Sequence, residues 1–252
     1  MKQLVIRADD LGYCEAVNYG IEKTVREGLI RSVGLMPNMD AAEHGVKLVQ
    51  DCDIALGQHT NICAGHPLSD PACIPSLVDA ETGDFKASRI YRTATEDIVV
   101  AEEAEVEIRA QLVRFRELVG REPDYFECHA VLSPNFFKAL KQVAEDEGLK
   151  FAAFGPADET FRIGSTDVVV CHMASMEPKY DAVANLKHEA LTLADGATGI
   201  YVCHPGYLDN YILTHSSLNI NRTLEVDALT DPAVKAWFAD QADISLIDYR
   251  DL

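Results

Sequence analysis

Hydrophobic residues along the chain follow two alternating patterns: short unbroken apolar runs, and longer stretches in which apolar residues return every third or fourth position. The first run, Leu4, Val5 and Ile6, has the character of a buried strand, and Gly12 marks a turn soon after it. Val17, Ile21 and Val25 then recur at fourfold spacing, which predicts a helix closed at Gly28. A strand is expected over 32–36, a helix over 41–49 that buries Ala42, Val46 and Val49, and a strand over 54–62. Residues 63–88 carry Pro67, Pro71 and Pro75 with little periodicity and read as a long loop, of the kind that can cover a substrate. Beyond it, helices are predicted over 96–119, 135–147 and 181–194, and strands over 125–129, 151–154, 168–171, 200–203 and 244–247. Glu102, Glu103, Glu105 and Glu107 crowd the start of the 96–119 helix and read as a solvated face.

Seven or eight strands alternating with helices imply a parallel α/β architecture, either a barrel or a doubly wound sheet. The 252 residues match the length of one (β/α) barrel, and 48% hydrophobic residues can fill one sizeable core, so 1–252 is expected to form a single domain. Net charge alters the choice of partner. At -19, from 41 acids against 22 lysines and arginines, the surface lacks the basic field that nucleic acid requires, and neutral ligands are expected. No apolar run approaches the roughly 20 residues of a membrane span, and Arg7, Asp9 and Asp10 interrupt any signal core, so a cytoplasmic protein with no membrane partner is expected. The seven cysteines are odd in number and contain no C-x-x-C pair, which argues for reduced, mostly buried thiols. A homodimer is the base-rate expectation for oligomeric state.

Candidate chemistry gathers at one place in this pattern. Asp9 and Asp10 follow the first strand, His59 lies near the end of the third, His129 ends Y-F-E-C-H, and His204 ends I-Y-V-C-H. In a parallel sheet the carboxyl ends of strands share one rim, so these distant residues can meet there. His172 ends V-V-V-C-H and fits the same pattern, which makes it a rival. Two imidazoles and a carboxylate form a three-donor divalent metal site with positions left open for water and substrate. The same donor set describes non-haem iron oxygenases, and a carbohydrate-binding protein that has lost turnover is a further alternative. Cys128 and Cys203 directly precede histidines, and strand alternation turns both thiols to the opposite side. Asn61, two residues after His59, can face the same side and contact substrate, or serve as a strand-end turn residue.

The segments A-D-D-L-G-Y, G-Q-H-T-N, E-C-H-A and C-H-P-G-Y, in this order, resemble the YdjC-like carbohydrate deacetylases, a group that includes chitooligosaccharide deacetylases and is related to the NodB-type polysaccharide deacetylases. P-S-L-V-D at 75–79 and R-S-V-G-L-M-P-N at 31–38 extend the resemblance over most of the chain. It implies a deformed (β/α) barrel of about seven parallel strands and removal of an acetyl group from an N-acetylated sugar or oligosaccharide. By the same resemblance Asp10, His59 and His129 hold a divalent metal ion, Asp9 is the general base and His204, protonated, is the nearby acid. Zinc is favoured by two imidazole donors, and magnesium is allowed by the resemblance. The third motif departs from the family pattern: Glu127 and Cys128 precede His129 where Asp and a small residue are usual, and Val131 stands where a further His is common.

Overall fold

The computed structural model describes residues 1–152 and 159–252. Its strands are β1 (Lys2–Leu11), β2 (Ser32–Leu35), β3 (Ala55–Thr60), β4 (Phe126–Cys128), β5 (Thr160–Ile163), β6 (Thr166–Val170), β7 (Thr198–Cys203) and β8 (Ile244–Ile247). Its helices are α1 (Glu15–Glu27), α2 (Ala42–Val49), α3 (Ser88–Thr93), α4 (Ala101–Val119), α5 (Pro134–Glu147), α6 (Ala182–Thr192), α7 (Asn210–His215), α8 (Ile220–Thr230) and α9 (Pro232–Ala239).

The sheet runs β4-β3-β2-β1-β7-β6-β5 and curls into a half-barrel, with β8 added beside β1. Each pairing among these is parallel except β5 with β6. β8 pairs with Lys2 to Val5, and β2 with Arg7 to Leu11, so the two share one edge of β1. β1 is thus the central strand, and its carboxyl end lies between those of β2 and β7.

Strand alternation sorts the side chains into two layers. Leu4, Ile6 and Ala8 face outward into a core shared with Val17, Ile21 and Val25 of α1. Val5 faces inward and packs with Ala55, Tyr125, Ile200, Val202 and Tyr249, which fill the amino-terminal end of the half-barrel. Tyr125 and Tyr249 stack there with ring centroids 3.9 Å apart. That end of the interior is therefore plugged with side chains among the described residues, which leaves the other end for ligands.

Three points differ from the expectations. Of the strand predicted over 151–154, the described residues carry one bridge, Phe151 beside Phe126, while 153 and 154 lie outside the described residues. The unpredicted β5 instead forms a hairpin with β6, closed by Gly164 at φ 57, a conformation two-residue hairpin turns require and glycine adopts without strain. Third, the acids of α4 are not all solvated. Glu107 is fully buried and accepts hydrogen bonds from the backbone N–H groups of Leu68 and Ser69 and from the Ser69 hydroxyl, while Glu103 accepts from the Ser76 N–H. These carboxylates tie down the proline-rich loop, which is therefore fastened along α4 at two points. Among the described residues no helix is long and apolar enough to cross a membrane.

Candidate active site

Period-two alternation along β1 sends Val5, Arg7 and Asp9 inward, and it should send Asp10 outward. The backbone overrides this. Asp10 adopts φ 77, and the β1–β2 register slips between Ala8 and Leu11, so a bulge turns a second carboxylate toward the interior. A non-glycine residue in this region is strained, and such strain is found where geometry serves a site. β2 passes the same spot as Gly34, where an added Cβ would lie 2.9 Å from Asp9 Oδ1 and 3.1 Å from His59 Cβ. Glycine leaves room there for the polar cluster.

β3 brings in His59, and the end of β4 brings in Glu127 and His129. Asp10 Oδ1, His59 Nε2 and His129 Nδ1 form a triangle with sides of 3.3, 3.1 and 2.9 Å. Ligand bonds of about 2.0–2.2 Å at tetrahedral to octahedral angles place donor atoms roughly 3.0–3.5 Å apart, so the three fit a divalent ion. Asp10 Oδ1 is buried and has no hydrogen-bond donor among the described residues, as expected of an atom reserved for a cation. The other oxygen, Oδ2, accepts from Arg222 Nη2 at 2.7 Å, so Asp10 offers a single oxygen. His59 Nδ1 donates to Glu127 Oε1 at 2.5 Å, which leaves Nε2 as the free donor atom and fixes the ring.

Asp9, His59 and Glu127 form a second acidic group of similar compactness. Here the positive charge is already supplied by the protein. Arg7 Nη2 lies 2.7 Å from Asp9 Oδ2 and 3.5 Å from Glu127 Oε2, while its Nη1 donates to the Tyr249 hydroxyl at 2.9 Å. The guanidinium sits over both stacked tyrosines and beneath both acids. Of the two groups, that of Asp10, His59 and His129 is therefore the stronger candidate for a cation.

The electrostatics agree. Burial works against ionised Asp10, yet Arg222 and His129 outweigh it and hold its carboxyl well below the usual range. Burial likewise opposes charge on His129, but Asp10 pushes its pKa up to about 9. A site that draws protons onto imidazole will draw other cations, and metal binding must displace those protons. Zinc affinity is accordingly expected to rise with pH up to about 9, with proton release detectable by calorimetry in buffers of different ionisation enthalpy. Affinity that stays level between pH 6 and 9 would contradict this assignment.

Asp10, His59, His129 and His204 border one cavity of about 270 Å³, also lined by Tyr13, Met173, Ser175 and Met176. That is near the lower end of ligand-pocket sizes, roughly 300–1,000 Å³. His204 is held from α8: its N–H donates to Glu225 at 2.6 Å, and Arg222 on the same helix face reaches Asp10. Burial pushes the His204 ring down to about 4, and its Nδ1 has no partner among the described residues. The remaining candidates fall outside. Asn61 is fully buried: its Nδ2 donates to Asn38 and Ala64, its Oδ1 accepts from the N–H groups of Cys63 and Ala64, and it does not border the cavity. It is a strand-end turn residue, which corrects the substrate-contact expectation. His172 is exposed and pairs with Glu177 at 2.6 Å. Cys203 turns away toward the Arg7 carbonyl as alternation requires, whereas Cys128 borders the cavity without joining the donor group.

The YdjC-like protein family matches residues 3–240. The chain belongs to that family. This YdjC-like chain is 32% identical to the carbohydrate deacetylase of Geobacillus stearothermophilus, over 98% of its own length and 96% of that relative. It is 28% identical to the chitooligosaccharide deacetylase of Citrobacter koseri, over 94% of each. Among solved structures, a protein of Enterococcus faecalis V583 named for cellobiose-phosphate cleavage superposes with a TM-score of 0.82 at 22% identity, covering 99% and 98% of the two chains. A family 4 acetyl xylan esterase from Clostridium thermocellum, in complex with cobalt, gives 0.52 at 11% identity over 99% and 89%. Both structures share the fold of the YdjC-like chain.

Four residues that complete this YdjC-like site escaped the sequence reading: Arg7, Glu127, Arg222 and Glu225. Arg7 was visible as a charge inside an apolar run, two residues before Asp9 and so on its face. Glu127 bears the same relation to His129 on β4. Arg222 and Glu225 had no such signal, because α8 itself was not predicted.

Proposed function

We propose that this chain is a divalent-metal-dependent hydrolase that removes the acetyl group from an N-acetylated sugar or oligosaccharide, giving acetate and an amino sugar. One observation carries the reading: the Asp10, His59 and His129 donor atoms form a triangle with sides of 2.9–3.3 Å at a cavity wall. A second carboxylate, Asp9, adjoins it with its own unpartnered oxygen. The names of the relatives, carbohydrate deacetylase and chitooligosaccharide deacetylase, support the substrate class.

Asp10, His59 and His129 hold the ion, and Glu127 and Arg222 orient two of these donors. When bound, the ion supplies Lewis-acid activation of water and stabilises negative charge growing on the acetamide oxygen. Asp9 is the general base: Arg7 anchors Oδ2 and leaves Oδ1 to take the proton from water. His204, on the same cavity wall with Nδ1 unpartnered, is the group that delivers a proton to the departing nitrogen, and the proton that Asp9 takes from water balances it. The nucleophilic oxygen adds to the carbonyl carbon, the C–N bond breaks, and the nitrogen leaves as a protonated amine. Two imidazole donors favour zinc or a similar transition ion over magnesium.

The test is acetate release from N-acetylglucosamine oligomers by chelated protein, before and after single metals are restored without oxygen. Activity should vanish on chelation and return with zinc. Protein that binds the sugar and metal yet releases no acetate would overturn the hydrolase reading.

A further inference from the structure

Resting on the reading of a sugar substrate, we infer that Ser175 is a substrate-binding residue whose hydroxyl bonds a ring hydroxyl of the sugar. Ser175 follows β6, in the segment the sequence had marked through His172. It is 1% exposed, its Oγ has no hydrogen-bond partner among the described residues, and it borders the cavity that holds Asp10, His59, His129 and His204. Buried hydroxyls in proteins are nearly always paired, so one left unpaired at a cavity wall is available to a ligand. Of the other unpartnered atoms on residues at this wall, Asp9 Oδ1, Asp10 Oδ1 and His204 Nδ1 have roles in the proposed reaction, and Arg7 Nε belongs to the guanidinium that neutralises Asp9 and Glu127.

The position of Ser175 relative to the metal donors is fixed by adjacent residues of α8. Asn221 Nδ2 donates to the Ser175 carbonyl at 2.7 Å, and Arg222 Nη2 donates to Asp10 at 2.7 Å. One helix thus holds both the ion's carboxylate and the serine. Met173 and Met176, on either side of Ser175, are 38% and 55% exposed and border the same cavity. Their polarisable, flexible side chains offer apolar surface to the C–H face of a sugar ring, and a hydroxyl, which both donates and accepts, suits a sugar hydroxyl.

The experiment compares wild type with Ser175→Ala in acetate release from N-acetylglucosamine oligomers and their monodeoxy analogues, together with thermal midpoints. Loss of one neutral hydrogen bond should raise KM by about 5–10-fold with kcat within about twofold. The thermal midpoint should stay level or rise, because no partner in the protein is lost. One deoxy analogue should be a poorer substrate than its parent for wild type but not for Ser175→Ala. An unchanged KM, a lowered midpoint, or equal discrimination among the analogues by both proteins would overturn the assignment. If wild type releases no acetate, the hydrolase reading fails separately, and calorimetric binding of the same sugars decides the role of Ser175. Absence of sugar binding to wild type would overturn it as well.

Discussion

Replacing His129 by alanine is expected to abolish tight metal binding and acetate release together while leaving the fold intact. His129 supplies one corner of a three-donor triangle, so its loss leaves Asp10 and His59 with too few donors for a stable site. Loss of a partner one step further out already lowers metal affinity by about 10–100-fold, so loss of a donor should exceed about 100-fold. Catalytic efficiency should fall by at least about 100-fold, the usual effect of removing one group that stabilises an oxyanion. His129 lies at the cavity wall and packs into no strand layer, and Arg222 still neutralises Asp10, so the thermal midpoint should move little. Calorimetry with zinc and an acetate assay on one preparation check both effects. Retained nanomolar zinc binding would place the ion elsewhere.

The second large effect is on stability. Arg7→Met should destabilise the protein by about 3–5 kcal/mol, because Asp9 and Glu127 would be left buried without the guanidinium that neutralises them. For a chain of this size that lowers the thermal midpoint by roughly 6–20 °C. Methionine keeps an unbranched apolar stem against Tyr125 and Tyr249, so the loss reports charge more than volume. Adding Asp9→Asn and Glu127→Gln to Arg7→Met should restore part of the loss, since neutral amides need no counter-charge. A single-variant midpoint within about 2 °C of wild type would show that the two acids do not depend on Arg7.

Several elements were legible because their side-chain periods are local properties. β8 occupies Ile244–Ile247 as expected, and α2 and α5 begin within one residue of their predicted starts, since apolar runs and fourfold repeats require no tertiary information. β5 was missed because its alternation, T-F-R-I, is short and half exposed, and because the hairpin depends on a turn geometry at Gly164. α8 was missed for a different reason. It carries buried Arg222 and Glu225, so its inward face reads as polar and the hydrophobic pattern that marks a helix is broken where it contacts the site.

Asp9, Asp10, His59, His129 and His204 were identifiable from the chain alone because parallel strands place their carboxyl ends on one rim, and motif order preserved that relation. The sequence by itself thus determined the fold class and the rim on which these acids and histidines gather. Tertiary structure alone decided which of them face one another. The bulge that turns Asp10 inward, the choice of Glu127 as the partner of His59, the lowered pKa of His204 and the burial of Asn61 all depend on backbone dihedrals and long-range burial. Strand alternation sees only the nearest neighbours, and it cannot report these.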